Sequence, residues 1–320
     1  MFLRSEPEPI AVQLEGTTDI PKMLIGTSTG LLYCSGSAMY RLTTEEFVYG
    51  ITRRKDNEWW LAQRGGNFIN RIMFDDDMTP TDFELVADLR MAGVAEHSGF
   101  HQIDFINDEL YICDTYNNRI LCGMYTTDYL IIMKVIYPVG WHNLTDSRSR
   151  NPKYKHFNSV YRYDVGKTHY VIAHNETHKT KERSQLFLFD DHWKLKAIIS
   201  DLGSCAHNIV VDFNQRMYSC DSTDSSLLAF DGEKMSSIFK DTRFDTFTRG
   251  LAVNDDTIVM GGSQRGGGKN ATADGYLFIL DSKTSVLKGT MCIPAVGQIF
   301  EVRFTGLDYG LSNTWRKHGS

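Results

Sequence analysis

No stretch of the 320-residue chain approaches the ~18 consecutive apolar residues that a membrane-spanning helix requires. The most apolar segment, Tyr129 to Ile136, is broken by Lys134. Nothing in the six cysteines falls in a Cys-x-x-Cys spacing. Cys34, Cys113, Cys122, Cys205, Cys220 and Cys292 are scattered, most of them inside apolar runs such as Leu110-Tyr111-Ile112-Cys113. They read as buried free thiols, not as a disulfide framework or a thiolate metal site. Positive charge is in deficit: 34 Lys and Arg against 40 Asp and Glu give a formal charge of −6. A phosphate backbone demands a basic face, so nucleic acid is not expected as a partner. Met1 to Pro9 is acidic and lacks the apolar core of a secretory signal, so the expected location is the cytoplasm and no membrane is expected as a partner. The sequons at Asn143, Asn175 and Asn270 are then read as chance. His-Glu-x-x-His is also missing, which leaves the common zinc-protease route without support.

Long amphipathic helical patterns are hard to find, and short alternating strands take their place. A hydrophobic fraction of 42% supplies ample core and excludes bulk disorder. Four strands separated by turn residues recur with a period of roughly fifty residues, starting near Phe47, His101, His156, His207 and Arg249. A four-stranded unit of this size can bury its faces only against neighbours, so the ring must close. The pattern predicts an all-β, six-bladed β-propeller with four-stranded antiparallel blades. Five blades are continuous in sequence; the sixth is expected from Gln298 to Phe304 paired with strands near Met23 to Tyr33, which leaves no open sheet edge. A richer N-terminal segment would make the count seven. The expected organisation is an N-terminal segment, residues 1–20, one propeller domain, residues 21–310, and a tail, residues 311–320.

The first residues of each innermost strand should face the mouth of the central channel. Taken in order they are Tyr49, His101, His156 with Asn158, His207 with Asn208, Arg249, and Glu301 with Arg303. Three imidazoles at nearly one repeat position suit a divalent cation, with Glu301 completing the set. Zn, Mn or Fe fits such donors better than Ca, which prefers oxygen. Neutral imidazoles equally serve as acid–base groups without a metal, and a third reading makes them purely structural bonds between blades. Arg249, beside Gly250, suits a carboxylate or phosphate, or else a structural salt bridge to Asp221 or Glu301. Tyr49, His101, His156 and His207 are the candidate catalytic residues; Arg249, Asn158, Asn208 and Arg303 are the candidate substrate contacts.

Other features are read as structural. The glycine-rich segment Gly261 to Lys269 follows one strand and leads into another, without the helix a phosphate loop needs, so no nucleotide cofactor is expected. His174-Asn175-Glu176-Thr177-His178 is expected as a solvated loop over one channel mouth. Asp75-Asp76-Asp77 is expected as a surface turn, and Asp114 and Asp221 as turn-capping carboxylates at equivalent strand ends.

Asp114-Thr115-Tyr116-Asn117-Asn118-Arg119-Ile120 resembles the D-x-x-N-x-R-I segment of NHL-type six-bladed propellers. His207-Asn208 through Asp231 is similar in layout to a blade of the gluconolactonase/regucalcin-like propellers, where an Asn in the corresponding turn ligates a divalent cation. Phe247 to Ala252, Gly262 to Arg265 and Gln298 to Val302 resemble a bacterial family of propeller-like proteins without an assigned activity. These resemblances imply the fold and carry no reaction. The leading expectation is an enzyme acting in the funnel on a small polar or anionic, sugar-acid-like substrate by lyase, hydrolase or isomerase chemistry. The rival is a non-catalytic scaffold that binds a protein or glycan on its face.

Overall fold

The computed structural model describes residues 3–43, 47–63, 67–89, 99–106, 108–126, 129–140, 153–163, 167–212, 214, 216–230, 234–265 and 272–306. The tail 311–320, the sequons at Asn143 and Asn270, and Gly266 to Lys269 lie outside them.

Alternation in the strands explains the assembly. In Leu110-Tyr111-Ile112-Cys113, successive side chains leave opposite faces of the sheet. Leu110 and Ile112 pack with Trp60, Phe100 and Phe105, whereas Tyr111 and Cys113 pack with Phe157, Val171 and Phe187. Each face therefore belongs to a different interface, which is why both sets are apolar. A fully buried side chain of this size contributes about 1.5–3 kcal/mol.

Six sheets result. Blade 1 contains Val48–Lys55, Glu58–Gln63, Phe68–Phe74 and Pro80–Asp88. Blade 2 contains Phe100–Ile106, Glu109–Asp114, Arg119–Tyr125 and Leu130–Ile136. Blade 3 runs from Phe157–Tyr163 through Thr168–Ala173 and Gln185–Phe189 to Leu195–Ser200. Blade 4 runs from His207–Val211 through Met217–Asp221 and Ser226–Phe230 to Met235–Lys240. Blade 5 is Thr246–Val253, Thr257–Gln264, Gly275–Asp281 and Leu287–Ile293. Blade 6 joins Ile299–Phe304 to Met23–Thr27, in register from Ile299 opposite Thr27 to Phe304 opposite Met23, and adds Gly30–Ser35 and Ala38–Thr43. The ring closes as the sequence predicts, with six blades.

The N-terminal segment adds something the repeat did not announce. Leu3–Ile10 pairs with Ala38–Thr43, and Gln13–Gly16 pairs with Leu287–Ile293, so blades 5 and 6 each carry a fifth, outermost strand. Gly261 to Gln264 belongs to a strand of blade 5, so the glycine-rich segment starts in the sheet and not in a loop. Every cysteine is free, and all but Cys292 are buried; burial pushes the Cys34 thiol up to about 12. Asn175 is buried, with its amide donating to Arg183 O and Gln185 Oε1, a poor glycan acceptor. Among the described residues, no helix is long and apolar enough to cross a membrane.

Inner strands approach so closely that some positions tolerate only glycine. A Cβ on Gly50 would stand 2.5 Å from His101 O and 2.9 Å from Ile103 N. Both contacts are backbone, so the seam between blades 1 and 2 would have to open. Gly50→Ala is expected to destabilise by about 1–3 kcal/mol, the usual cost of overpacking, read as a lower urea midpoint; an unchanged midpoint would refute this account of the seam.

Candidate active site

Each blade delivers one side chain to the same end of the channel: Tyr49, His101, His156, His207, Arg249 and Phe300. Ring centroids are 5.0 Å apart for Tyr49 and His101 and 5.2 Å for His101 and His156. His101 and His207 face each other at 6.4 Å. On the other side of the circle, Tyr49 stacks on Phe300 at 3.9 Å. The Arg249 guanidinium carbon lies 4.9 Å from the Phe300 centroid and 5.3 Å from that of Tyr49. The three histidines thus come together as expected, although not in one register. His207 lies opposite Cys220 in blade 4, whereas His156 precedes its strand and pairs with His174, whose N–H donates to His156 O.

His174 is the residue the sequence reading misplaced. Instead of a solvated loop, His174, Asn175 and Glu176 are buried. His174 stacks on His156 at 4.5 Å and meets His207 edge-on at 4.9 Å, completing a run of four imidazoles. The available signal was positional: His174 occupies the end of the second strand of blade 3, where blades 2 and 4 have Asp114 and Asp221. Those two carboxylates do cap turns. Asp114 accepts from Asn117 Nδ2 and from Arg119 Nε at 2.6 Å, the physical content of the D-x-x-N-x-R segment. Asp221 accepts from the N–H groups of Ser204 and Asp224.

Hydrogen bonds hold the imidazoles from behind. His101 Nδ1 lies 2.7 Å from Gly99 O and 2.9 Å from Thr115 Oγ1. His207 Nδ1 lies 2.8 Å from Ser222 Oγ. His156 Nδ1 contacts Tyr154 Oη at 3.0 Å and Glu176 Oε1 at 3.3 Å. The Glu176 carboxyl is held down at about 2, chiefly by His156 and then, against the cost of burial, by Lys179. Burial lowers His156, His174 and His207, and the Arg249 charge pushes all three further down. At neutral pH His156, His174 and His207 are therefore neutral, beside the Arg249 guanidinium and the ionised Glu176 carboxylate. Non-glycine residues with left-handed backbone gather here too: His156, Asn175, Glu176 and Asn208 all have φ between 46° and 58°, conformations that persist only where surrounding contacts impose them.

Four sequence candidates are engaged by protein partners. Asn158 Nδ2 donates to Ala206 O, and Asn208 bridges blades by donating to Glu301 Oε1 and accepting from Gly250 N–H. Arg303 is buried, with Nε donating to Ile51 O at 2.9 Å and a terminal nitrogen 2.9 Å from Glu301 Oε1. Glu301, expected as a metal ligand, lies in this seam; burial raises its carboxyl to about 7 against the pull of Arg303 and Arg249. These amides and charges satisfy buried strands, a demand that residue type alone does not reveal. Among the described residues, no three His, Cys, Asp or Glu side chains form a group that could hold a metal ion. Two cavities of about 510 and 690 Å³ open among other residues, the first lined by Lys22, Arg53 and Asp76, the second by Asp212, Asn254 and Lys283. Neither contains any of the four histidines.

Fold and site together define a β-propeller whose blades bring four imidazoles and a guanidinium together in a buried cluster. No family model and no curated protein matches the chain. Among solved structures, the chain is similar to one in the nidogen/laminin complex, with a TM-score of 0.61 and 8% identity over 89% of this chain and 98% of that one. It is also similar to a protein of unknown function from Bacteroides caccae, at 0.53 and 9% over 89% and 98% of the two chains. A putative 6-phosphogluconolactonase from Bacteroides fragilis gives 0.51 and 12% over 86% and 82%. Such identities show the fold alone, and this fold serves both catalysis and binding.

Proposed function

We propose that the channel mouth is the active site of an enzyme acting on a small, polar, anionic substrate of the sugar-acid type through general acid–base chemistry. The observation that carries this reading is the pairing of one buried guanidinium with imidazoles kept neutral beside it. Arg249 grips the acidic group, its planar fork matching a carboxylate or phosphate. The neutral imidazole of His207, or the ring of His101 facing it, accepts a proton from the bound substrate, and His174 or Tyr49 supplies one. The balance of proton removal and return is common to lyase, hydrolase and isomerase reactions.

Arg249→Ala is expected to weaken binding of small carboxylates and phosphates about ten- to a hundredfold, equivalent to roughly 1.5–3 kcal/mol. Arg249→Lys should recover only part of it. Calorimetric titration of a panel of sugar acids and sugar phosphates makes the measurement. Equal binding by all three proteins would refute the reading and favour the scaffold alternative.

A divalent transition cation is the second reading, favoured by one observation: Nδ1 of His101, His156 and His207 each meets a protein partner, as ligating histidines do. The three rings are not grouped closely enough to hold an ion as they stand, so Zn, Mn or Fe would have to draw them together, and would then polarise a substrate oxygen. Titration of chelator-treated protein with Zn or Mn should show one site, lost when the three histidines are replaced together. The absence of such a site would dismiss the cation and leave the acid–base reading intact.

A further inference from the structure

Behind two of the imidazoles lies the same three-part relay, and its atoms specify where the proton on each ring sits. Thr115 follows Asp114 at the end of the second strand of blade 2, and Ser222 follows Asp221 at the corresponding point of blade 4. Both are fully buried. Thr115 Oγ1 donates to Phe157 O at 2.6 Å, and Ser222 Oγ donates to Thr248 O at 2.6 Å. Each acceptor is a carbonyl in the neighbouring blade, and a carbonyl can only accept. The single hydroxyl proton is thereby committed. The ring nitrogen on the other side of each hydroxyl must donate, so it is Nδ1 of His101 and of His207 that carries hydrogen. Gly99 O, 2.7 Å from His101 Nδ1, imposes the same answer independently. In a neutral ring, the lone pair is then on Nε2.

His174 is set the other way. Its Nδ1 accepts the Glu176 N–H at 3.0 Å, which puts the ring hydrogen on Nε2. The cluster therefore holds neighbouring imidazoles in opposite tautomers. We infer that Ser222, and Thr115 together with the Gly99 carbonyl, are positioning residues that hold His207 and His101 with Nε2 as proton acceptor, while the Glu176 N–H holds His174 with Nε2–H as donor. The tautomers follow from hydrogen-bond geometry; their use as base and acid rests on the acid–base reading proposed above.

The two relays differ in redundancy, which gives the inference a sharp consequence. Ser222 is the partner that fixes His207, whereas His101 keeps Gly99 O if Thr115 is changed. The test is long-range proton–nitrogen NMR on protein carrying ¹⁵N-labelled histidine. In the unmodified protein, the unprotonated nitrogen should be Nε2 for His101 and His207 and Nδ1 for His174. Ser222→Ala should convert His207 to a mixture of tautomers, with a smaller change at His101 on Thr115→Val. Ser222→Thr and Thr115→Ser should restore the original pattern. A hydroxyl that only staples blades would lower the urea midpoint and leave the tautomers unchanged, which overturns the inference. So would His101 or His207 carrying hydrogen on Nε2 in the unmodified protein, a result that needs no variant to fold. Either outcome leaves the Arg249 titration untouched, and a failure of that titration leaves the tautomers standing, so the two readings fail separately.

Discussion

Acidification from pH 6.5 to 5.5 is expected to remove about 2 kcal/mol of folding stability. Burial lowers His156, strongly lowers His174 and His207, and holds His169 at about 4, while in the unfolded chain each titrates near 6.5. Below 6.5 the unfolded chain therefore binds protons that the folded chain refuses. The stability these groups contribute is present above 6.5 and is lost as pH falls through and below it, by at most about 1.4 kcal/mol per pH unit for each histidine. Glu301 works in the opposite direction. Its carboxyl is raised to about 7, so between about 4.5 and 7 the folded chain holds the extra proton and gains stability as pH falls. Three imidazoles, His169, His174 and His207, outweigh the one carboxyl, and the net loss from pH 6.5 to 5.5 is about 2 kcal/mol, a substantial share of the 5–15 kcal/mol typical of a folded domain. Urea denaturation at pH 7.5, 6.5 and 5.5 measures it. A midpoint that stays level across this range would show that the imidazoles charge within the fold.

Arg303→Met should destabilise the protein by about 3–5 kcal/mol at pH 8, the cost of leaving the partner of a buried ion pair alone. At that pH Glu301 is mostly ionised, and the same change removes the bond from Arg303 Nε to Ile51 O across the seam of blades 6 and 1. At pH 5.5, where Glu301 holds its proton, the loss should be smaller. Adding Glu301→Gln to Arg303→Met should recover part of the stability at pH 8 and little at pH 5.5. Denaturation of the four proteins at the two pH values forms a double-mutant cycle. A loss of equal size at both pH values would mean that the carboxylate is not what Arg303 balances.

The sequence made the ring legible because burial on both faces forces a regular pattern. Leu110-Tyr111-Ile112-Cys113 is apolar throughout for that reason, and its turn residues recur at fixed offsets. The closing strand Ile299–Phe304 was legible by elimination, since one innermost strand lacked a blade. His101, His207 and Arg249 could be found from strand starts alone. His174 could not, because its role depends on a loop folding inward, and an Asn-Glu-Thr-His continuation looks like any solvated turn. Asn208, Glu301 and Arg303 pose the converse difficulty. Their residue types suit a ligand, yet their partners are amides, carbonyls and each other across seams far apart in sequence. The strands Leu3–Ile10 and Gln13–Gly16 escaped for a third reason: at the rim only one side of a strand meets protein, so the apolar alternation fades.

Ring closure has a consequence for the order in which the molecule can be made. Met23–Thr27 is synthesised before the five complete blades, yet its inner edge is filled only by Ile299–Phe304. Until residue 304 has left the ribosome, an apolar strand edge on one side of the growing arc and an uncovered face of blade 5 on the other stand open to solvent and to neighbouring nascent chains. Native closure must thus wait for residue 304 and has a long loop to shut, which slows it. A chaperone that shields strand edges should raise the yield of this protein more than that of a propeller closed by strands adjacent in sequence.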